Sequence, residues 1–195
     1  MTLKLTPVCG PIYEAAAWAP AGDTWVALTG SASDDDVVRF VAEVARYGRV
    51  LDCSSLDAAI VSIAACQHSL VVGGGLRVSQ GALRIDPSCC AGLEGWREWL
   101  TAACDKHSPW MGHDPSPWVA FESSHVVIHT DETNQHSACA PPIMASYDEL
   151  ETALAEAKAD LAGFYLKLGA LASKMPRSVG AAFLSVLQSS FFAHT

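Results

Sequence analysis

Between Tyr147 and Met175 the chain reads YDELETALAEAKADLAGFYLKLGALASKM. Leu150, Ala153, Leu154, Ala157, Leu161, Phe164, Leu168, Leu171 and Met175 recur at spacings of three and four, which places them on one face of an α-helix. Glu149, Glu156, Asp160 and Lys167 line up beside that face. The helix is long and amphipathic, and its leucine face needs a sheet or a neighbouring helix to cover it. Pro176 ends it, because proline removes an amide donor and clashes with the preceding turn. Phe183, Leu187 and Phe191 then recur every four residues in a final short helix, leaving Phe191 and Phe192 near a free C-terminus.

Upstream, the pattern is mostly that of strands. Ile12 to Ala19 and Thr24 to Thr29, divided by the turn-prone Pro20-Ala21-Gly22-Asp23, predict a hairpin. Ser33 precedes Asp34, Asp35 and Asp36, a cap followed by carboxylates at the positive end of a helix dipole. Val37, Phe40, Val41, Val44 and Tyr47 continue that helix, and Gly48 stops it, so the acidic triplet reads as capping charge and not as a metal cluster. A short strand is expected at Arg49 to Asp52, and a helix at Ser55 to Cys66 despite an Ile-Val-Ser-Ile centre that suits a strand. Leu70 to Val72, Leu76 to Ser79 and Ala82 to Ile85 predict short strands at the centre of a sheet, punctuated by Gly73-Gly74-Gly75, read as a bulge or turn, and by Gly81.

From Leu93, the residues Trp96, Trp99, Leu100, Ala103 and Cys104 share a broad face of one expected helix, with Glu94 and Arg97 opposite. Ser108 to Trp118 holds three prolines and a glycine and cannot be regular structure. Val119 to Phe121 and His125 to Thr130 predict a second hairpin, and Asp131 to Pro142 a flexible linker. The expectation is one α+β domain over residues 1–195, with a mixed or antiparallel sheet of short strands, the long amphipathic helix and the short final one.

Composition narrows the function classes. The chain has 195 residues with 12 Lys plus Arg against 21 Asp plus Glu, a formal net charge of −9. That balance, without any Lys/Arg run, argues against a sequence-independent grip on nucleic acid. Half of the residues are hydrophobic and 17% are charged, enough apolar matter for a sizeable core. The apolar stretches Ala58 to Cys66 and Val179 to Ala193 fall short of the ~20 residues that cross a bilayer. Met1 to Gly22 lacks the apolar run of a secretory signal. The seven cysteines are odd in number and scattered, so free thiols in a soluble, cytoplasmic protein are expected.

One region invites comparison. Gly74-Gly75-Leu76, Asp86-Pro87-Ser88-Cys89-Cys90, Leu93, Trp96, Trp99 and SPWMGHDPSPW at 108–118 form a pattern that resembles a group of small bacterial proteins of unassigned function. The resemblance covers residues 73–118, 46 of 195, and implies no catalytic role.

The chemistry-bearing residues of that region allow several readings. Cys89 and Cys90 precede the expected Leu93 helix, where free amides and the dipole favour a thiolate. With His113 and Asp114 they could form a Cys-His-Asp constellation if the proline-rich loop folds back. The bland alternative makes the cysteines small space-fillers and gives His113 a loop carbonyl. A zinc reading would use Cys89 or Cys90 with Cys104, His107 and His113, since Cys104 and His107 have the spacing of a chelating pair. Against it, adjacent cysteines seldom both reach one tetrahedral ion. His125 and His129 share one side of a strand, and Val126 and Ile128 share the core side. Trp110 and Trp118 are read first as plugs at the end of the core and second as interface anchors.

Charge and size favour a non-enzymatic acidic binding protein without cofactor, such as an immunity protein that covers the basic active site of a bacterial toxin. Its binding residues would be Glu149, Glu156 and Asp160 on the helix stripe, or Trp110, His113, Asp114 and Trp118 in the loop. The alternative is a thiol- or zinc-dependent enzyme centred on Cys89, Cys90 and His113.

Overall fold

Leu3, Leu5 and Cys9, at alternate positions, are buried while Lys4 is exposed, so the first strand turns one row of apolar side chains inward. The computed structural model describes residues 1–13, 16–49, 52–131 and 141–193. Strand β1 (Leu3–Cys9) pairs along its whole length with β3 (Gly74–Gln80), from Leu3 opposite Gln80 to Cys9 opposite Gly74. The two-residue β2 (Val26–Ala27) lies on the other edge of β1, and β4 (Leu83–Ile85) lies beyond β3. All three pairings are antiparallel.

This first sheet differs from the expected hairpin. No described residue of Ile12 to Ala19 is in a strand; Leu3–Cys9 takes that place, and Thr24 to Thr29 contracts to β2. The reason is burial: half of Ile12 to Ala19 is alanine, which offers little to a pleated surface, whereas Leu3, Leu5 and Cys9 fill one face of β1 and Val8 is buried on the other. Leu70 to Val72 is not a strand either, and Gly74 and Gly75 form neither a bulge nor a turn. Both belong to β3, with φ of +152° and +146°. A Cβ at Gly74 would collide with the Val8 carbonyl, so glycine lets β3 lie close on β1. Residues 50 and 51 of the expected strand at Arg49 to Asp52, and 132–140 of the expected linker, lie outside the described residues.

The second sheet has the order β5 (Trp118–Phe121), β6 (His125–His129), β7 (Ile143–Ser146), again antiparallel. Its hairpin is the expected one, and β7 is an addition. Val126 and Ile128 are buried, His125 and His129 only partly so, and the His129 ring stacks on Trp118 at 4.4 Å.

Helix α1 (Asp34–Tyr47) starts with a capping box between Ser33 and Asp36. Helix α2 (Leu56–Ala64) starts at Ser55, whose hydroxyl accepts the Ala58 amide. The single helix expected from Leu93 to Cys104 is two pieces, a 3-10 segment at Leu93–Glu98 and α3 (Trp99–Asp105). Glu94 and Arg97 do not form its solvent face: both are half-buried, and Arg97 donates to the Ser190 carbonyl from two nitrogens at 3.1 Å.

Helix α4 (Tyr147–Ala172) has a capping box between Ser146 and Glu149 and buries Leu150, Ala153, Ala157, Leu161, Phe164 and Leu168. It packs on β1 and on α5 (Arg177–Leu187), which continues into a π-helical turn at Gln188–Phe192. Phe191 and Phe192 are buried, not loose: the Phe40 ring of α1 lies 5.2 Å from Phe164 and 6.1 Å from each of them. Trp96 Nε1 donates to the Phe191 carbonyl at 2.9 Å, tying the 3-10 segment to the same cluster. The class is α+β. Among the described residues, no helix is long and apolar enough to cross a membrane.

Truncating this cluster should be costly. Phe164→Ala is expected to destabilise the protein by about 3–5 kcal/mol and Leu161→Ala by about 2–5 kcal/mol, read as a lower urea midpoint at unchanged slope.

Candidate functional site

Ser88 to Ala91 form a tight turn closed by the Ala91 amide, which donates to the Ser88 carbonyl at 3.1 Å. Its third residue, Cys90, has φ +65°, a position usually given to Gly or Asn. In extended chain, neighbouring side chains point to opposite sides. The left-handed residue breaks that alternation, and the Cys89 and Cys90 sulfurs converge to 3.4 Å. The turn is fixed to the first sheet, because the Gly74 amide donates to Ala91 and the Leu93 amide donates to Val72.

The proline-rich loop folds back onto this turn through main-chain bonds. The Ser88 amide donates to Met111 at 2.7 Å, and the His113 amide donates to Cys89 at 2.9 Å. Ser88 Oγ adds a bond to the His113 carbonyl at 2.8 Å. Gly112, with φ +98°, passes so close that a Cβ there would come within 2.6 Å of the Cys89 carbonyl oxygen. On the far side, Trp110 donates its indole N–H to the Cys90 carbonyl at 3.3 Å and its amide to Glu98 at 2.7 Å.

These contacts gather the thiols, an imidazole and a carboxylate. The metal-ligating atoms of Cys89, Cys90 and His113 all lie within 4.8 Å of one another. His113 Nδ1 is 2.9 Å from Asp114 Oδ2. Asp114, like Cys90, has a left-handed backbone, so two of the four described non-glycine residues with positive φ fall in this cluster. Hydrogen bonding to the Cys89 thiol, and then to His113, holds the Cys90 thiol below its ordinary range. Sharing a proton with Cys90 pushes Cys89 the opposite way. Asp114 first and Cys90 second raise the His113 imidazole. The buried Cys9 thiol is the contrast: burial drives it strongly upward and leaves it inert.

Cys89, Cys90 and Asp114 open onto a pocket of about 560 Å3. The segment after β1 (Gly10, Pro11, Tyr13), Trp25 and the end of α1 supply its other walls. There Arg46 is clamped by the buried Glu43 carboxylate at 2.5 and 2.9 Å. That size suits a small molecule.

Comparison with protein-family models, curated proteins and solved structures finds no match to this chain. Function has to be read from the site itself. Four of the sequence candidates, Cys89, Cys90, His113 and Asp114, come together. The helix end invoked for the thiols does not: the 3-10 segment begins only at Leu93, and the thiolate environment comes from Cys89 and His113. Cys104 and His107 are exposed and stand outside the cluster.

Trp110 is 51% exposed, so it is no core plug; it walls the cluster, its ring 6.4 Å from His113. Trp118 is half-buried against His129. Of the acidic stripe, Glu149 is engaged in capping its own helix and Asp160 is half-buried, its carboxyl raised by burial against the opposing pull of Lys4. Glu156 is exposed. The six described cysteines are free, and Cys139 lies outside the described residues. The pocket residues Trp25, Glu43 and Arg46 had no signal in the sequence, since a buried Glu three residues from an Arg reads there as an ordinary helix pair.

Gly112 is the weak point of the assembly. Gly112→Ala is expected to cost more than about 1 kcal/mol. It should also break the His113 to Cys89 main-chain bond, seen as faster hydrogen exchange at the His113 amide with β5 and β6 unaffected.

Proposed function

We propose that the chain is a thiol-dependent enzyme that acts on a small acyl substrate, with Cys90 as nucleophile, His113 as general base and Asp114 as the group that orients the imidazole. The observation that carries this reading is the chain of contacts at the pocket edge: Cys90 beside the His113 ring, and His113 Nδ1 on Asp114 at 2.9 Å. It is the nucleophile, base and orienter arrangement of covalent catalysis, assembled from a turn and a loop. In the first half-reaction His113 takes the Cys90 proton, the sulfur attacks the carbonyl carbon, and the proton passes to the leaving group. In the second, water attacks the thioester, His113 takes the water proton and returns it to sulfur, and the carboxylic acid leaves. The sum is hydrolysis, and a primary amine or alcohol in place of water would make it acyl transfer.

An acidic binding protein is the second reading. Its support is the net charge of −9. Glu156 is the exposed member of the proposed stripe, while Glu149 is occupied by its cap, so the thiol site takes precedence.

Alkylation followed by peptide mass spectrometry tests the proposal. Cys90 should react at least about tenfold faster than the exposed Cys53 and Cys104 at neutral pH, and His113→Ala should erase the advantage. In a panel of small esters and thioesters, His113→Ala should lower turnover by about 10²–10⁴ and Cys90→Ser by more. Uniform alkylation together with no turnover of the panel would refute the assignment.

A further inference from the structure

The nucleophile reading gives Cys89 no covalent role, yet its sulfur lies 3.4 Å from that of Cys90 and beside the same imidazole. From this geometry we infer a binding site for one thiophilic divalent cation of the zinc class, with Cys89 Sγ, Cys90 Sγ and a ring nitrogen of His113 as ligands. The site shares residues with the proposed nucleophile but does not depend on that reading.

Three arguments carry the inference. First, around an ion with metal–sulfur bonds of about 2.3 Å, tetrahedral geometry sets two sulfurs about 3.8 Å apart, and the observed 3.4 Å leaves a small adjustment of side-chain torsions. The objection that adjacent cysteines diverge does not apply, because Cys90 is left-handed. Second, Asp114 already holds His113 Nδ1, which leaves Nε2 for a cation and fixes the ring as carboxylates do behind metal-bound histidines. Third, two thiolates and an imidazole select zinc-like ions over calcium or magnesium, which need oxygen ligands. Among the described residues the ligands number three, and two of them, Cys89 and Cys90, also line the pocket. A bound ion ties up the Cys90 sulfur, so occupancy switches off its nucleophilicity reversibly.

The test is titration of the reduced, chelator-stripped full-length protein with cadmium and cobalt(II), followed by ultraviolet thiolate-to-metal charge transfer, with zinc stoichiometry from calorimetry. One ion per chain is expected. Cys89→Ser and Cys90→Ser should each weaken binding at least about tenfold, and Asp114→Asn by about 10–100-fold. Cys104→Ser, outside the cluster, should keep the full band. Circular dichroism checks that each variant is folded. One equivalent of zinc should also slow alkylation of Cys90 at least about tenfold relative to the metal-free protein. No charge-transfer band, or an undiminished band in the Cys89→Ser/Cys90→Ser double variant, would overturn the site. Failure of the nucleophile reading looks different, since metal-free Cys90 would then react no faster than Cys53 while the titration still gave one bound ion.

Discussion

The pairing of β1 with β3 is the constraint on which the other parts rest. It brings the Leu3, Leu5 and Cys9 face of β1 into the same core as the leucine face of α4, and it places the segment after Cys9 next to Gly73 and Gly74. Gly74 then donates to Ala91, so the two-cysteine turn hangs directly from the end of this strand pair. The loop 108–117 forms no helix or strand element of its own and is held by main-chain bonds to that turn. Sheet, turn, loop and pocket form one dependent series, and glycine at 74 is what allows the strands to approach closely enough to start it.

What could be read in the sequence follows from whether the determining interactions are local. Helix α1 was legible from its cap and apolar spacing and α4 from its apolar spacing, because these signals are local to the elements; the Ser146–Glu149 box emerges only in the structure. The hairpin of β5 and β6 was legible for the same reason. Strand β1 is not legible in the sequence because its partner is remote and Pro7 weakens its pattern. The break at Glu98 could not be foreseen, since Trp96 and Arg97 are held by the carbonyls of Phe191 and Ser190. The candidate site was legible as a set of residue types and illegible as a set of neighbours. Cys104 and His107 have suitable spacing but lie elsewhere, whereas Cys89 and Cys90 have unsuitable spacing and converge through one backbone angle.

The acidic balance is also distributed less simply than a total of −9 implies. Asp36 and Glu149 close helix caps, Glu43 is buried against Arg46, and Asp86 accepts both Arg77 and Arg84. These carboxylates serve local structure.

The separation in sequence of the β1–β3 pair has a kinetic meaning. Residues 3 and 80 must meet with α1 and α2 between them, and the entropy of closing so long a loop is regained only once distant apolar surfaces are in place. The helices need no such closure and can form early. The cysteine turn, attached through Gly74 to this non-local pair, cannot take its place before the pair has closed, so any chemistry there waits on a long-range contact of the core.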